Sequence, residues 1–161
     1  MPTKRKPMSI EEVKQFIFAG KAYFTMRSNE SGRSEMFIIY KTKDYYMVYS
    51  GLAQDPTSST DFKPDVLLGF IDPNVPLRLN GAPRRRGRRN FYPIHNGKTL
   101  GSVRAVDWLL SVLAERVLYR DNVDILNNGF CAKCGRKLTD DVSVDLGFGP
   151  TCWKSIRKEV I

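Results

Sequence analysis

The stretch "AYFTMRSNESGRSEMFIIYKTKDYYMVYSG" at residues 22–51 decides the fold class of this chain. It contains three segments rich in aromatic and β-branched residues, at 22–28, 35–42 and 44–51, and this composition is typical of β-strands. The loop "NESG" and a short polar turn at 41–44 separate the segments. Because short connections of this kind join antiparallel neighbours, the pattern predicts a three-stranded antiparallel meander.

Further elements are predicted on both sides of the meander. Ser9 is a suitable N-cap for a short helix, whose first turn holds Glu11 and Glu12 and which Gly20 would end. "VLLGFID" at 66–72 and "VPLRLN" at 75–80 are predicted as a fourth and a short fifth strand. The best helical pattern starts after Ser102 and covers 103–119, with apolar residues at helical spacing. We therefore predict an α+β fold: a mainly antiparallel sheet packed by one long helix, with a small C-terminal zinc-ribbon-like module.

All three cysteines of the chain lie in "CAKCGRKLTDDVSVDLGFGPTC" at residues 131–152. The spacing C-x2-C-x17-C is close to that of the two paired knuckles of a zinc ribbon, lacking only the second cysteine of the second pair. Gly135 suits the tight turn of a knuckle because glycine tolerates positive φ. A redox C-x2-C motif would open a helix, whereas Asn127-Asn128-Gly129 precedes this one. The pattern therefore predicts structural Zn²⁺ bound by Cys131, Cys134 and Cys152.

The fourth zinc ligand is open at the level of sequence. His95 is the only histidine of the chain, and an imidazole commonly completes a zinc site. Asn127 and the carboxylates of Asp140, Asp141 and Asp145 offer oxygen ligands, and a water would leave an open position. The sequence shows no obvious general base, so the metal is predicted to be structural.

Positive charge is concentrated in one segment. The formal net charge is +9, and between Arg78 and Arg104 there are eight Lys or Arg and no Asp or Glu. Guanidinium groups bind phosphate and stack on bases, and neighbouring aromatic rings stack on unpaired bases. The pattern predicts a basic loop at 81–101 that binds DNA or RNA through Arg84, Arg85, Arg86, Arg88, Arg89, Phe91 and Tyr92.

The sequence also predicts how the chain is divided into domains and which classes of function are excluded. We predict a basic arm at 1–8, an α+β domain at 9–122 and a zinc-binding module at 123–161. No apolar run approaches the ~20 residues needed to span a bilayer, so no membrane partner is predicted and we expect a soluble, cytoplasmic protein. With a single histidine and no phosphate-binding glycine loop, the sequence predicts no enzymatic activity.

The cysteine stretch resembles a short C-terminal element of uncharacterised proteins from phages and actinobacteria, with the pattern C-x2-C-G-R-x-L-T-x3-S-x3-G-x-G-P-x-C. Every fixed position of that pattern is present, from Cys131 to Cys152. Members of this family often have a histidine four residues before the first cysteine, where this chain has Asn127. The resemblance implies a zinc-binding element and phage origin, and it implies no reaction.

Two functions follow from these features. The first is a small zinc-binding protein that binds nucleic acid through its arginine-rich loop. The alternative is a phage protein-interaction factor that inhibits or redirects a host enzyme or defence component, its arginine loop entering an acidic or nucleic-acid-binding groove of the host partner. A phage protein of either kind would act in the cytoplasm of the host cell.

Overall fold

The computed structural model describes residues 7–51, 66–72, 91–93, 100–113 and 123–159. These residues form an α+β fold with one antiparallel sheet and four helices. The elements in chain order are α1 (Ile10–Ile17), β1 (Lys21–Ser28), β2 (Ser34–Lys41), β3 (Tyr46–Gly51), β4 (Val66–Ile71), β5 (Phe91–Pro93), α2 (Leu100–Leu113), β6 (Val123–Asn127), α3 (Asp141–Leu146) and α4 (Pro150–Glu159).

The described strands form a six-stranded sheet in the order β5-β4-β3-β2-β1-β6. Every neighbouring pair is antiparallel, and β1 to β3 form the predicted meander. Among the described strands, β5 and β6 are the two edges. Five spacings of about 4.8 Å separate them, so the two edges lie about 24 Å apart across an untwisted sheet.

Two strands differ from the sequence-based prediction. β5 falls inside the segment that we predicted to be the basic loop at 81–101. It has only three residues and ends in proline, so it carries no alternating pattern to recognise. β6 was not predicted, and it pairs with β1 although we assigned its residues to the C-terminal module. The predicted strand at 75–80 lies outside the described residues.

Helix α1 begins with the predicted Ser9 cap. The Glu12 N–H donates to Ser9 Oγ and the Ser9 N–H to Glu12 Oε1, both at 3.3 Å, which forms a capping box. The residue before the cap differs from the predicted basic arm. Met8 is buried in the core, and its N–H donates to the Ile125 carbonyl at 2.8 Å. The chain is therefore held against β6 before the helix starts.

One face of the sheet carries the hydrophobic core. Because side chains alternate along a strand, Ala22, Phe24 and Met26 of β1 point to the same face, and the rings of Phe24 and Phe37 stack at 5.5 Å. Buried side chains of α1, α2 and α4 join this cluster, and the half-buried Val144 of α3 packs against it.

Helix α2 begins at Leu100, earlier than predicted, so Ser102 lies within the helix. Instead of capping it, the Ser102 hydroxyl donates to Glu35 of β2. The predicted residues 114–119 of this helix lie outside the described part of the chain. None of the helices in the described ranges is both long and apolar enough to cross a bilayer.

Candidate metal centre

The C-x2-C sequence forms a tight knuckle that follows β6. Phe130 and Lys137 form an antiparallel bridge, and the Cys131 N–H donates to the Arg136 carbonyl at 2.8 Å. Inside this bridge, the Gly135 N–H donates to the Cys131 carbonyl at 2.8 Å. Gly135 has a φ of 78°, a left-handed conformation that glycine adopts without a Cβ penalty. This turn is the knuckle that the sequence predicted.

The third cysteine lies in a helix, which corrects the predicted zinc-ribbon arrangement. Cys152 is in the first turn of α4, whose first residue is Pro150. Proline fits this position because its missing N–H would have no partner in the helix and its φ is already helical. The Trp153 N–H donates to the Gly149 carbonyl at 2.8 Å, so the helical bonding starts immediately. The third sulfur is thus presented by a helix terminus that Pro150 starts.

A short helix connects the knuckle to α4. α3 begins after Asp140, whose Oδ2 accepts from the Ser143 N–H at 3.0 Å, and this hydrogen bond holds the pKa of Asp140 below its ordinary value. The Ala132 N–H donates to the Gly147 carbonyl at 2.9 Å, which draws the end of α3 back to the knuckle. The Phe148 ring then packs between Phe16 and Trp153. These contacts place the start of α4 beside the two knuckle cysteines.

The knuckle is attached to the first residues of β1. The Lys21 N–H donates to the Ala132 carbonyl at 2.6 Å. Gly20, just before it, has a φ of 146°, and a Cβ at this position would lie 2.8 Å from the Lys133 carbonyl oxygen. Backbone of the knuckle therefore approaches Gly20 too closely for any side chain. The sheet and the metal centre are packed as one structure at this point.

The three cysteine sulfurs form a cluster that suits a metal ion. Their Sγ atoms all lie within 4.8 Å of one another, and the three thiols are free rather than joined in a disulfide. In a tetrahedral zinc site with bonds of about 2.3 Å, neighbouring sulfurs are about 3.8 Å apart. The 4.8 Å limit on the cluster accommodates this spacing, so the three residues could hold a zinc ion.

The thiols differ in how readily they ionise. Burial raises the pKa of Cys131, but backbone hydrogen bonds from Gly149, Cys134 and Lys133 outweigh it and leave the pKa below its ordinary value. Burial and the neighbouring cysteines raise the pKa of Cys152 to about 12. Negative charge on one sulfur thus opposes ionisation of the next. A divalent cation removes this opposition, because it stabilises all three thiolates together.

Asn127, a predicted candidate for the fourth ligand, has a clear structural role. Its Nδ2 donates to the Val144 carbonyl at 2.7 Å, and its Oδ1 accepts from the Gly129 N–H at 3.0 Å. It therefore links the end of β6, the start of the knuckle and α3. His95 lies outside the described residues, and coordination of the metal by Asn127 or His95 stays a prediction.

The predicted nucleic-acid-binding residues are only partly described. The five arginines at 84–89 lie outside the described residues. Phe91 and Tyr92 lie in β5. Among the described strands, β5 is the edge strand at the other end of the sheet from β6. The run therefore precedes an edge strand along the chain, and its role in binding stays a prediction.

The structure also brings together residues that the sequence did not single out. The Lys21 ammonium lies 6.0 Å from the Tyr23 ring and 5.7 Å from the Tyr40 ring, and Tyr40 is 43% exposed. The Tyr23 ring packs on Phe130 at 4.8 Å. Alternation along β1 predicts that Lys21 and Tyr23 share a face, but only the pairing of strands places them beside Tyr40 and the knuckle.

In comparisons with known proteins, only the C-terminal element of this chain has a match. The model of a family of unknown function (DUF6011) matches residues 125–157, which include the three cysteines and most of the elements around them. Neither the curated proteins nor the solved structures yield a match. Phage origin stays a prediction. The matched segment is similar to a protein family, and that segment coincides with the cysteine cluster.

Proposed function

We propose that this protein is a small zinc-stabilised nucleic-acid-binding protein, whose arginine-rich segment contacts phosphate groups. The observation that carries the proposal is the acid-free basic segment from Arg78 to Arg104, whose five arginines at 84–89 precede the edge strand β5 along the chain. A dense positive segment is suited to a polyanion, because its cationic side chains displace the counterions condensed on the phosphates.

The metal supports this function by holding the C-terminal elements in place. α3 has six residues, too few to be stable alone in water. Zn²⁺ bound by Cys131, Cys134 and Cys152 would connect the knuckle to α4 across this short helix. A structural zinc of this kind contributes about 10 kcal/mol or more to the folding of its module.

A second surface of matching chemistry lies beside the knuckle. Lys21, Tyr23 and Tyr40 form a cation–aromatic cluster with one ring well exposed. The knuckle adds two exposed basic residues, Arg136 and Lys137, and Lys137 pairs with Phe130, whose ring packs on Tyr23. Tyrosine rings and cations are the groups that contact bases and phosphates of single strands. This cluster supports nucleic acid as the polyanion in preference to an acidic protein.

The direct test is binding of single- and double-stranded DNA and RNA across a salt series, measured by mobility shift or anisotropy. We expect binding that weakens steeply with salt. Replacing Arg84, Arg85, Arg86, Arg88 and Arg89 by Ala should flatten the dependence of log K on log salt by up to about 4.5 for duplex DNA, if each arginine neutralises one phosphate.

Two control variants make the result specific. Replacing the same five arginines by Lys keeps the charge and removes the planar guanidinium groups. This variant therefore distinguishes the contribution of positive charge to binding from that of guanidinium geometry. Replacing Lys41 and Lys43, which are exposed in the β2–β3 turn, removes charge from another surface and should have little effect. Absence of binding to all four nucleic acids at about 0.1 M salt would contradict the proposal. Retention of one host protein from nuclease-treated lysate would then favour the protein-interaction alternative.

The metal is tested separately by elemental analysis of protein purified without chelator. We expect about one zinc ion per chain. A triple substitution of the cysteines by Ser should abolish it. A reading near zero for the wild type would refute the metal part of the proposal.

A further inference from the structure

Cys152 lies in the first turn of α4. The helix geometry therefore indicates which residue of α4 is closest to a fourth metal ligand. Residues three apart on a helix lie on the same face, one turn from each other. Ser155 is therefore the next residue of α4 on the side that presents Cys152. A zinc site with two cysteines from a knuckle and two from a helix turn would have its fourth sulfur at this position.

The rotation of α4 is set by its packing. Ile156 is buried in the core at 7% exposure, and the Trp153 ring lies 5.6 Å from that of Phe148. These two contacts hold the apolar side of the helix against the protein. Ser155 is then directed towards the knuckle, where its Oγ accepts a hydrogen bond from Lys133 Nζ at 2.7 Å. Lys133 lies between Cys131 and Cys134 in the chain.

We infer that the fourth coordination position faces Ser155 and is filled by an exchangeable water, held by the Ser155 hydroxyl and the Lys133 ammonium. This inference rests on the zinc site of the proposed function. A neutral serine hydroxyl is a poor zinc ligand compared with a thiolate, and a hydroxyl beside a metal commonly orients a bound water instead. The site thus has three permanent ligands and one position open to small anions.

Cobalt(II) substitution of the full-length protein tests the inference, because the charge-transfer absorption of cobalt counts thiolate ligands and its visible bands report coordination. The wild type should show three thiolates, and added azide should change the visible bands. Ser155→Cys should raise the charge-transfer absorption by about one third, from three thiolates to four. The same variant should lose the response to azide.

A matched control is available in the same helix turn. Lys154→Cys places a thiol on an exposed residue two positions after Cys152, which faces away from Cys152 because residues two apart on a helix do not share a face, and it should leave both the absorption and the azide response unchanged. Should Ser155→Cys fold poorly, Ser155→Ala serves instead. It removes a partner of the bound water, and azide should then bind about tenfold more tightly.

The outcomes separate this inference from the proposed function. If the reduced wild type binds no cobalt, the metal site itself fails and the inference fails with it. If the wild type binds cobalt through three thiolates but Ser155→Cys adds no thiolate absorption, the inference alone is overturned. It is also overturned if azide has no effect on the wild type and His95→Ala changes the bands, because His95 would then be the fourth ligand.

Discussion

Gly20 shows at the scale of a single residue how closely the knuckle and the sheet approach. A Cβ on Gly20 would meet the Lys133 carbonyl oxygen at 2.8 Å, whereas a Cβ on Gly32 would meet nothing within 4 Å. Both glycines have positive φ. Gly32→Ala should therefore cost about 1–2 kcal/mol of unfolding free energy through backbone strain alone. Gly20→Ala should cost about 1–3 kcal/mol more, because backbone must also move.

Denaturant unfolding of the two variants measures this difference. Gly20→Ala should also weaken metal binding, since Lys133 lies between two of the cysteines. Equal destabilisation by the two substitutions would show that the knuckle is not packed against the start of β1.

The Cys152 thiol predicts a pH dependence of metal binding. Its pKa is about 12 in the metal-free protein, so the thiol is protonated at neutral pH, and binding as a thiolate must release that proton. Metal affinity should therefore rise about tenfold per pH unit for each proton released. Competition with a chelator between about pH 6 and 8 measures the slope, and an affinity independent of pH would contradict thiolate coordination.

The Cys152 thiol makes the metal-free protein less stable as pH rises, whereas the same rise in pH strengthens metal binding. Its pKa rises from an ordinary value of 9.0 to about 12, so the folded thiol holds its proton more tightly than the unfolded thiol. Its contribution to stability is fully present below pH 9 and is lost as pH rises towards 12. Alkaline pH therefore favours the metal-bound form over the metal-free form.

At the scale of elements, the metal should stabilise the C-terminal segment selectively. The knuckle and α3 contain few residues. This part of the chain meets the core through a small set of buried side chains, Cys131, Ala132, Leu138 and Phe148, and through the Asn127 hydrogen bonds. Chelation should therefore speed amide hydrogen exchange in residues 131–156, while β1, β2 and β3, which pair along most of their lengths, stay protected. Helix α2 of the same protein, which contacts β2 through Ser102 and Glu35, is the internal control. Uniform loss of protection over the whole sheet would contradict a local role of the metal.

At the scale of the whole molecule, the two functional segments are joined along the chain to different edge strands. The arginine run precedes β5 in sequence and the cysteine cluster follows β6, and these two strands are the edges of the described sheet, about 24 Å apart across five strand spacings. Replacing the five arginines by Ala should therefore abolish nucleic-acid binding without changing zinc content, and should alter the unfolding free energy by less than about 0.5 kcal/mol per residue.

Thermal unfolding and elemental analysis of that variant check the separation. A variant that lost zinc or unfolded much earlier would indicate that the guanidinium groups pair with carboxylates of the same chain. In that case they would not be available to a polyanion, and the proposed function would be lost with them.

Local features of this protein were readable from its sequence. The Ser9 cap of α1, the first four strands and the knuckle depend on neighbouring residues, because capping, alternation and a glycine turn act over a few positions. The segregated positive charge and the three cysteines are likewise properties of the sequence.

Features that depend on distant contacts were decided by the tertiary structure. β5 and β6 are short, and they are strands because β4 and β1 offer backbone partners to them. Cys152 belongs to a helix because Pro150 starts it and Phe148 packs it against the core. The position of Ser155 beside Lys133 follows from that packing. Pairing and burial join residues far apart in the chain, so no local pattern contains them.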